Sequence, residues 1–192
     1  MTLLIVGLIL FFGMHLIPTA PALHSTFKDK LGEKPYKGIA SLAALAGLIL
    51  IVIGTGQAPT IVIWEPPHWT RFLSPVLILP AFILLVAAYA PSNIKRFTRH
   101  PMLWAVTLWA AAHLATNGDL TSMVLFGAFL LYSLFDMVSA NRRGALKSTV
   151  AQPFTRELVV IVIGVVLYGL FVYFHADLFG VPAMMHSAPA AN

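Results

Sequence analysis

The chain has 192 residues, 59% of them hydrophobic and only 10% charged, with no cysteine. Soluble domains typically carry about 25% charged residues, so most of this surface is expected to face lipid. The missing cysteines exclude disulfides, iron–sulfur clusters, thiolate metal sites and covalently attached c-type haem, and leave open a cofactor held by histidine or carboxylate.

Six apolar stretches follow one another, at about 2–20, 38–54, 71–90, 101–116, 120–140 and 157–174. A membrane helix needs about 20 apolar residues, with a range of about 17–25. The stretches predict an all-α integral membrane bundle of six transmembrane helices, a single domain over 1–192 with no connection long enough for a soluble module. The first stretch opens on MTLLIVGLIL, without a basic leader or a small-residue cleavage site, and reads as a retained helix. Pro18 and Pro21 loosen its end, and Pro35 precedes the second helix. Along that second helix Ala40, Ala43, Ala44, Gly47 and Gly54 would allow another helix to approach closely. Pro75 and Pro80 fall in the third helix and free backbone carbonyls. Pro101 opens the fourth helix, where its missing N–H costs nothing. Asn117-Gly118-Asp119 is a tight turn, with Asp119 the N-cap of the fifth helix.

The charge pattern sets an orientation. Lys28, Lys30, Lys34 and Lys37, then Lys95, Arg96 and Arg99, then Arg142, Arg143, Lys147 and Arg156 fill alternate gaps, and the other gaps and termini hold only Arg71. Short loops rich in Lys and Arg stay cytoplasmic, so both termini are expected on the non-cytoplasmic side of a bacterial inner membrane. The net charge of +5 therefore belongs to juxtamembrane loops that meet anionic headgroups, and nucleic acid is not an expected partner. Membrane lipids are.

Polar residues inside a bilayer are costly and become functional candidates. His15 lies within the first helix, on one face with Phe11, Leu8 and Leu4. A neutral imidazole there suits a haem ligand, a proton carrier or an interhelical hydrogen bond. His100 sits at the cytoplasmic start of the fourth helix, between Arg99 and Pro101, and His113 near its outer end, one turn after Trp109. Thirteen helical steps turn them about 220° apart and separate them by about 20 Å, so they address different neighbours. Asp136 is the one carboxylate well inside a span, with a loop Arg or His100 as expected partner. His24, His68, His175 and His186 fall in loops or tails and read as surface residues. There is no H-E-x-x-H, G-x-S-x-G or P-loop pattern. Arg99-His100-Pro101 before an aromatic helix also resembles lipid methyltransferases, but Ser139-Ala140-Asn141-Arg142-Arg143-Gly144 lacks the acidic and tyrosine-bearing continuation of those families.

In their order and spacing, several segments together resemble the NnrU family of bacterial membrane proteins. They are Phe11-Phe12-Gly13-Met14-His15, Leu31-Gly32-Glu33-Lys34-Pro35-Tyr36-Lys37, Trp64 with Pro66-Pro67, and Arg99-His100-Pro101-Met102-Leu103-Trp104. Leu108-Trp109, Ala112-His113-Leu114, Asn117-Gly118-Asp119, Leu125-Phe126-Gly127 and Asp136 to Arg142-Arg143 complete the set. Ala105 stands where the family often has Gly, and the loop after Glu33 carries Pro35. The family is associated with nitrite and nitric oxide metabolism, and is similar to the plant 15-cis-ζ-carotene isomerase, a membrane enzyme with a histidine-held b-type haem. The resemblance implies haem b between the first and fourth helices, with His15 and His113 as axial ligands, His100 supporting and Trp109 packing nearby. It implies action on, or sensing of, a small hydrophobic or gaseous molecule, with cis–trans isomerisation as the enzymatic form. A non-enzymatic scaffold or assembly factor for a respiratory reductase, and a lipid methyltransferase, are the alternatives. The partners expected are a respiratory protein or a second copy of the chain.

Overall fold

In the computed structural model, residues 1–180 and 183 are described. They are helical and contain no strand, only an isolated bridge between Val62 and Asp119. The helices are α1 (Thr2–Leu16), α2 (Pro21–Leu31), α3 (Glu33–Gly56), α4 (Leu73–Tyr89), α5 (Ile94–Phe97), α6 (Pro101–Thr116), α7 (Leu120–Arg142) and α8 (Phe154–Phe179). Among the described residues, five helical segments are long and apolar enough to cross a membrane: Thr2–Thr19, Glu33–Gly56, His68–Tyr89, Leu120–Arg142 and Phe154–Phe179. These answer to five of the six expected spans, and the protein is of multi-pass membrane type. The expected fourth span coincides with α6. Its 16 residues make a rod of about 24 Å at 1.5 Å per residue, short of the roughly 30 Å hydrocarbon core.

The helices form two compact units, one of residues 1–66 and 117–145, the other of residues 67–116 and 146–192. In the first unit α1 lies directly on α3, and glycine makes that possible. A Cβ on Gly47 would stand 2.7 Å from the Phe11 nitrogen, one on Gly7 would stand 2.7 Å from the Ile51 nitrogen, and one on Gly54 would overlap the backbone of Leu4. The pairing of Leu4 with Gly54 and Phe11 with Gly47 makes the two helices antiparallel. The expected close approach along the second span thus occurs at Gly47 and Gly54, with Gly7 its counterpart on α1. Leu4, Leu8, Phe12 and Ile51 form the core of this unit, and Val124, Leu125, Ala128, Phe129 and Tyr132 of α7 pack on it. Between lipid-solvated helices this contact is held by dispersion and shape rather than by expulsion of water.

The segment 21–31, read in the sequence as a loop, is the helix α2. Pro21 begins it at a first-turn position, and it lays His24 and Phe27 against the buried ring of Tyr36 at centroid distances of 5.3 and 6.3 Å. Gly32, at φ +80°, ends α2 and starts α3, a backbone conformation that suits glycine. Pro35 accordingly falls within the first turn of α3 rather than before the helix. The expected turn at 117–119 is present, and Asp119 caps α7 by accepting from the Ser122 N–H at 2.9 Å. The Gly118 carbonyl accepts from the N–H groups of Ile63 and Trp64 at 2.8 and 3.1 Å. This staples the Trp64 loop to the turn.

In the second unit α4 packs on α6 and α8. Gly164 admits Ile83, Phe82 meets Tyr168 and Phe171 at 6.1 and 5.1 Å, and Ser92 and Asn93 just past α4 meet Glu157 at the start of α8, so α4 and α8 are antiparallel. Ala105, Ala110 and Ala112 of α6 and Ala81 and Ala87 of α4 are buried, small side chains where helices meet. One end of the unit is closed by Glu157. Its carboxylate accepts from Ser92 Oγ at 3.0 Å and from the Asn93 N–H at 2.7 Å, while Asn93 and Gln152 exchange two hydrogen bonds of 2.8 and 2.9 Å.

Candidate functional site

His15 is presented by the last turn of α1. Its Nδ1 lies 2.7 Å from the carbonyl oxygen of Phe11, one turn back. A carbonyl only accepts, so Nδ1 carries the proton, and the lone pair of the neutral ring is on Nε2. Phe11 stacks on the imidazole at 4.2 Å and 28°, and Tyr132 meets it edge-on at 6.0 Å. These contacts fix the ring plane. Tyr132 Oη donates to Asp136 Oδ2 at 3.3 Å, and Asp136 Oδ1 accepts from the Arg143 guanidinium at 3.1 Å. The guanidinium also donates to Ser139 Oγ. Of the two partners expected for Asp136, a loop arginine fills the role, and it is the residue that caps α7.

His113 repeats the device in the other unit. On α6 its Nδ1 lies 2.8 Å from the carbonyl oxygen of Trp109, again one turn back, and the Trp109 ring stands 5.3 Å away at 55°. The lone pair is again on Nε2 by the same argument. His175, read as a tail residue, belongs to α8 and packs on Phe179 at 4.9 Å.

His100 lies at the other end of α6. Its backbone N–H donates to Thr98 Oγ1 at 3.3 Å and its carbonyl accepts from the Trp104 N–H at 2.9 Å. It lines a groove of about 450 Å³ with Lys95, Arg99 and Lys147. The remaining histidines divide. His24 packs on Tyr36, His68 Nδ1 accepts from Arg71 at 3.0 Å on an exposed turn, and His186 lies outside the described residues.

His15 thus belongs to one compact unit, and His100, Trp109 and His113 to the other. Among the described residues, no three His, Asp or Glu side chains gather where they could hold a metal ion between them. A haem asks the protein for only one or two histidines. The two imidazoles are chemically able to serve such a group: Nε2 would be the ligating atom, and the Nδ1–H bond to a carbonyl would play the part that a second partner plays for metal-bound histidines. The sequence did not single out Tyr132 or Glu157. The i, i+4 spacing of Tyr132 and Asp136 was the available signal for the first. Glu157 has a local one only in standing at the start of a helix, where carboxylates are favoured.

The NnrU protein family matches residues 3–183, nearly the whole chain and across both units. Neither a curated protein nor a solved structure matches the chain.

Proposed function

Since the chain belongs to the NnrU family, we propose that it is a multi-pass inner-membrane protein that binds b-type haem through histidine. Its ligand would be a small hydrophobic or gaseous molecule. The observation that carries this reading is the shared construction of His15 and His113. Each ring is held by an Nδ1–H bond to the carbonyl of the fourth residue back, and each has an aromatic neighbour at that same residue. His15 and His113 are the axial-ligand candidates, Trp109 packs beside the second, and His100 is a supporting residue. Haem would supply an iron able to bind a gas or polarise an unsaturated ligand, including a cis double bond.

The protein's own part is to hold the rings. Phe11 and Tyr132 prevent rotation of His15. Tyr132 is held in turn by Asp136, whose charge Arg143 balances.

Six crossings with both termini on one side is the topology we assign, and helix direction within each unit supports it. In the first unit Met1 approaches Thr121 while His15 approaches Tyr132, so α1 and α7 are parallel. In the second, α4 and α8 are antiparallel. Both relations hold if α3, α4, α6, α7 and α8 each reverse the chain. If the short α6 did not cross, α7 would oppose α1 and α8 would run with α4.

The test is the visible spectrum of the full chain in mild detergent, oxidised and then dithionite-reduced, after expression with ample haem. A Soret band with sharp reduced α and β bands, lost in His15→Ala and in His113→Ala, is expected. A spectrum without haem bands, from protein of full helical content, would overturn the reading. A scaffold whose histidines serve only helix packing would then take its place.

A further inference from the structure

We propose that the groove at the start of α6 is a binding site for one anionic phospholipid, its phosphate on Lys95, Arg99 and Lys147 and its glycerol and upper acyl chains along Met102, Leu103 and Leu146. The groove measures about 450 Å³, within the roughly 300–1,000 Å³ of ordinary ligand sites. Lys95, Arg99 and Lys147 line it together with His100 and Ser148, and among the described residues no carboxylate does. Glu157, a carboxylate of the same unit, is committed to Ser92 and Asn93. The first turn of α6 forms part of the wall through Pro101, Met102 and Leu103, and the N-terminal end of a helix carries positive partial charge. The charged side chains that line the groove among the described residues are thus all basic.

The wall is held in place by the backbone. The Ser148 N–H donates to the Lys95 carbonyl at 3.0 Å, and the exchange between Asn93 and Gln152 fastens the same two segments a few residues further on. Lys95 and Lys147 are therefore brought together although 52 positions separate them in sequence.

The other wall is apolar and open. Leu146 is 85% exposed and Met102 38% exposed, immediately beside Lys147 and Arg99. A free phosphate would use the cations and leave these side chains in contact with nothing suited to them. A phospholipid uses both, because its anionic head and its chains meet at this depth. Basic residues at a membrane surface favour anionic lipid by about fivefold each.

The experiment is native mass spectrometry of the full chain released from vesicles of equimolar phosphatidylglycerol and phosphatidylcholine. The wild type should retain phosphatidylglycerol preferentially. The preference should fall about fivefold for each cation removed in Lys95→Gln, Arg99→Gln and Lys147→Gln, and should survive Lys95→Arg with Lys147→Arg. Arg96→Gln with Arg156→Gln removes two charges of the same region that do not line the groove, and should leave the preference intact. Equal retention of both lipids, an unchanged preference in the triple variant, or an equal loss in the Arg96 and Arg156 control would each overturn the proposal. Displacement of the lipid by glycerol 3-phosphate at matched concentration would overturn it in favour of a soluble phosphate ligand. Should the triple variant lose its helical circular dichroism, Lys147→Gln alone, outside any helix, carries the same test. None of these readouts depends on haem.

Discussion

Gly47→Ala should loosen α1 from α3 and disturb His15 in the same event. The new Cβ would stand 2.7 Å from the Phe11 nitrogen and 3.0 Å from both the Gly7 oxygen and the Phe11 Cα, where ordinary contact begins at 3.4 Å. The atoms are backbone on both sides, so no side chain can swing away. The helices must part by about 0.7 Å (3.4 − 2.7). A gap of 0.5–1 Å forfeits roughly a quarter to a half of the dispersion well, and one buried leucine makes about 40–60 contacts of about 0.1–0.2 kcal/mol. For a seam equivalent to one leucine the loss is about 1–6 kcal/mol, and lipid and side-chain relaxation bring it toward about 2 kcal/mol. Replacing a helical glycine returns about 0.5–1 kcal/mol, leaving a net loss of about 1–2 kcal/mol. At about 2–4 °C per kcal/mol for a chain of this size, the melting temperature of the detergent-solubilised protein should fall by about 2–8 °C. Gly38→Ala on the same helix is the control. Nothing lies within 4 Å of its Cβ position, so that variant should melt at or slightly above the wild type. Because the Phe11 carbonyl is the acceptor for His15 Nδ1, Gly47→Ala should also perturb whatever signal reports that imidazole. Should Gly47→Ala melt with Gly38→Ala, the close packing of α1 on α3 would be refuted.

Arg143→Ala strips the carboxylate of Asp136 of its guanidinium. As the two side chains are 31% and 18% exposed, solvent screening limits the loss to about 1–2 kcal/mol. Asp136→Asn in the Arg143→Ala background should recover part of that loss in thermal melts, whereas strictly additive effects would show the pair to be uncoupled. Gly118→Ala places a Cβ onto the Trp64 carbonyl oxygen and breaks the staple at Ile63 and Trp64. Their amide hydrogen exchange should speed up by roughly tenfold, the equivalent of about one lost hydrogen bond, and unchanged exchange would refute the contact.

Helix positions were legible because apolar runs and punctuating residues act locally. Pro101 and Asp119 end up where a helix start requires them. The α2 helix was not legible, since PALHSTFKDKL has little apolar periodicity and its reason for folding is the ring of Tyr36, five residues beyond its end. Gly7 was hidden for a similar cause: a lone glycine in an apolar helix acquires meaning only when Gly47 and Ile51 lie opposite. The histidines could be singled out as costly in lipid. Their tautomer could not, because it depends on a rotamer that carries Nδ1 to the carbonyl one turn back. His175 was misplaced because α8 runs five residues past the expected end of the last span, which puts a residue read as tail inside a helix and against Phe179.

Arg143, Asp136, Tyr132 and His15 form one sequence of contacts, and that explains how Asp136 is tolerated. A lone carboxylate in lipid would protonate or draw in water. Here Arg143 reaches back from the C-cap of α7 to balance it, so the charge lies seven residues from a basic helix end. What remains of the carboxylate's accepting capacity goes to Tyr132 Oη. That bond pins the phenol ring, and the pinned ring presents its edge to His15 while Phe12 tilts against it at 4.9 Å. Charge at the rim of the unit therefore sets the orientation of an imidazole inside it without touching that imidazole. Phe11 and Tyr132 together restrain the plane of the His15 ring. The ligand role proposed for Nε2 would make use of that restraint, since it needs the atom directed at a fixed point.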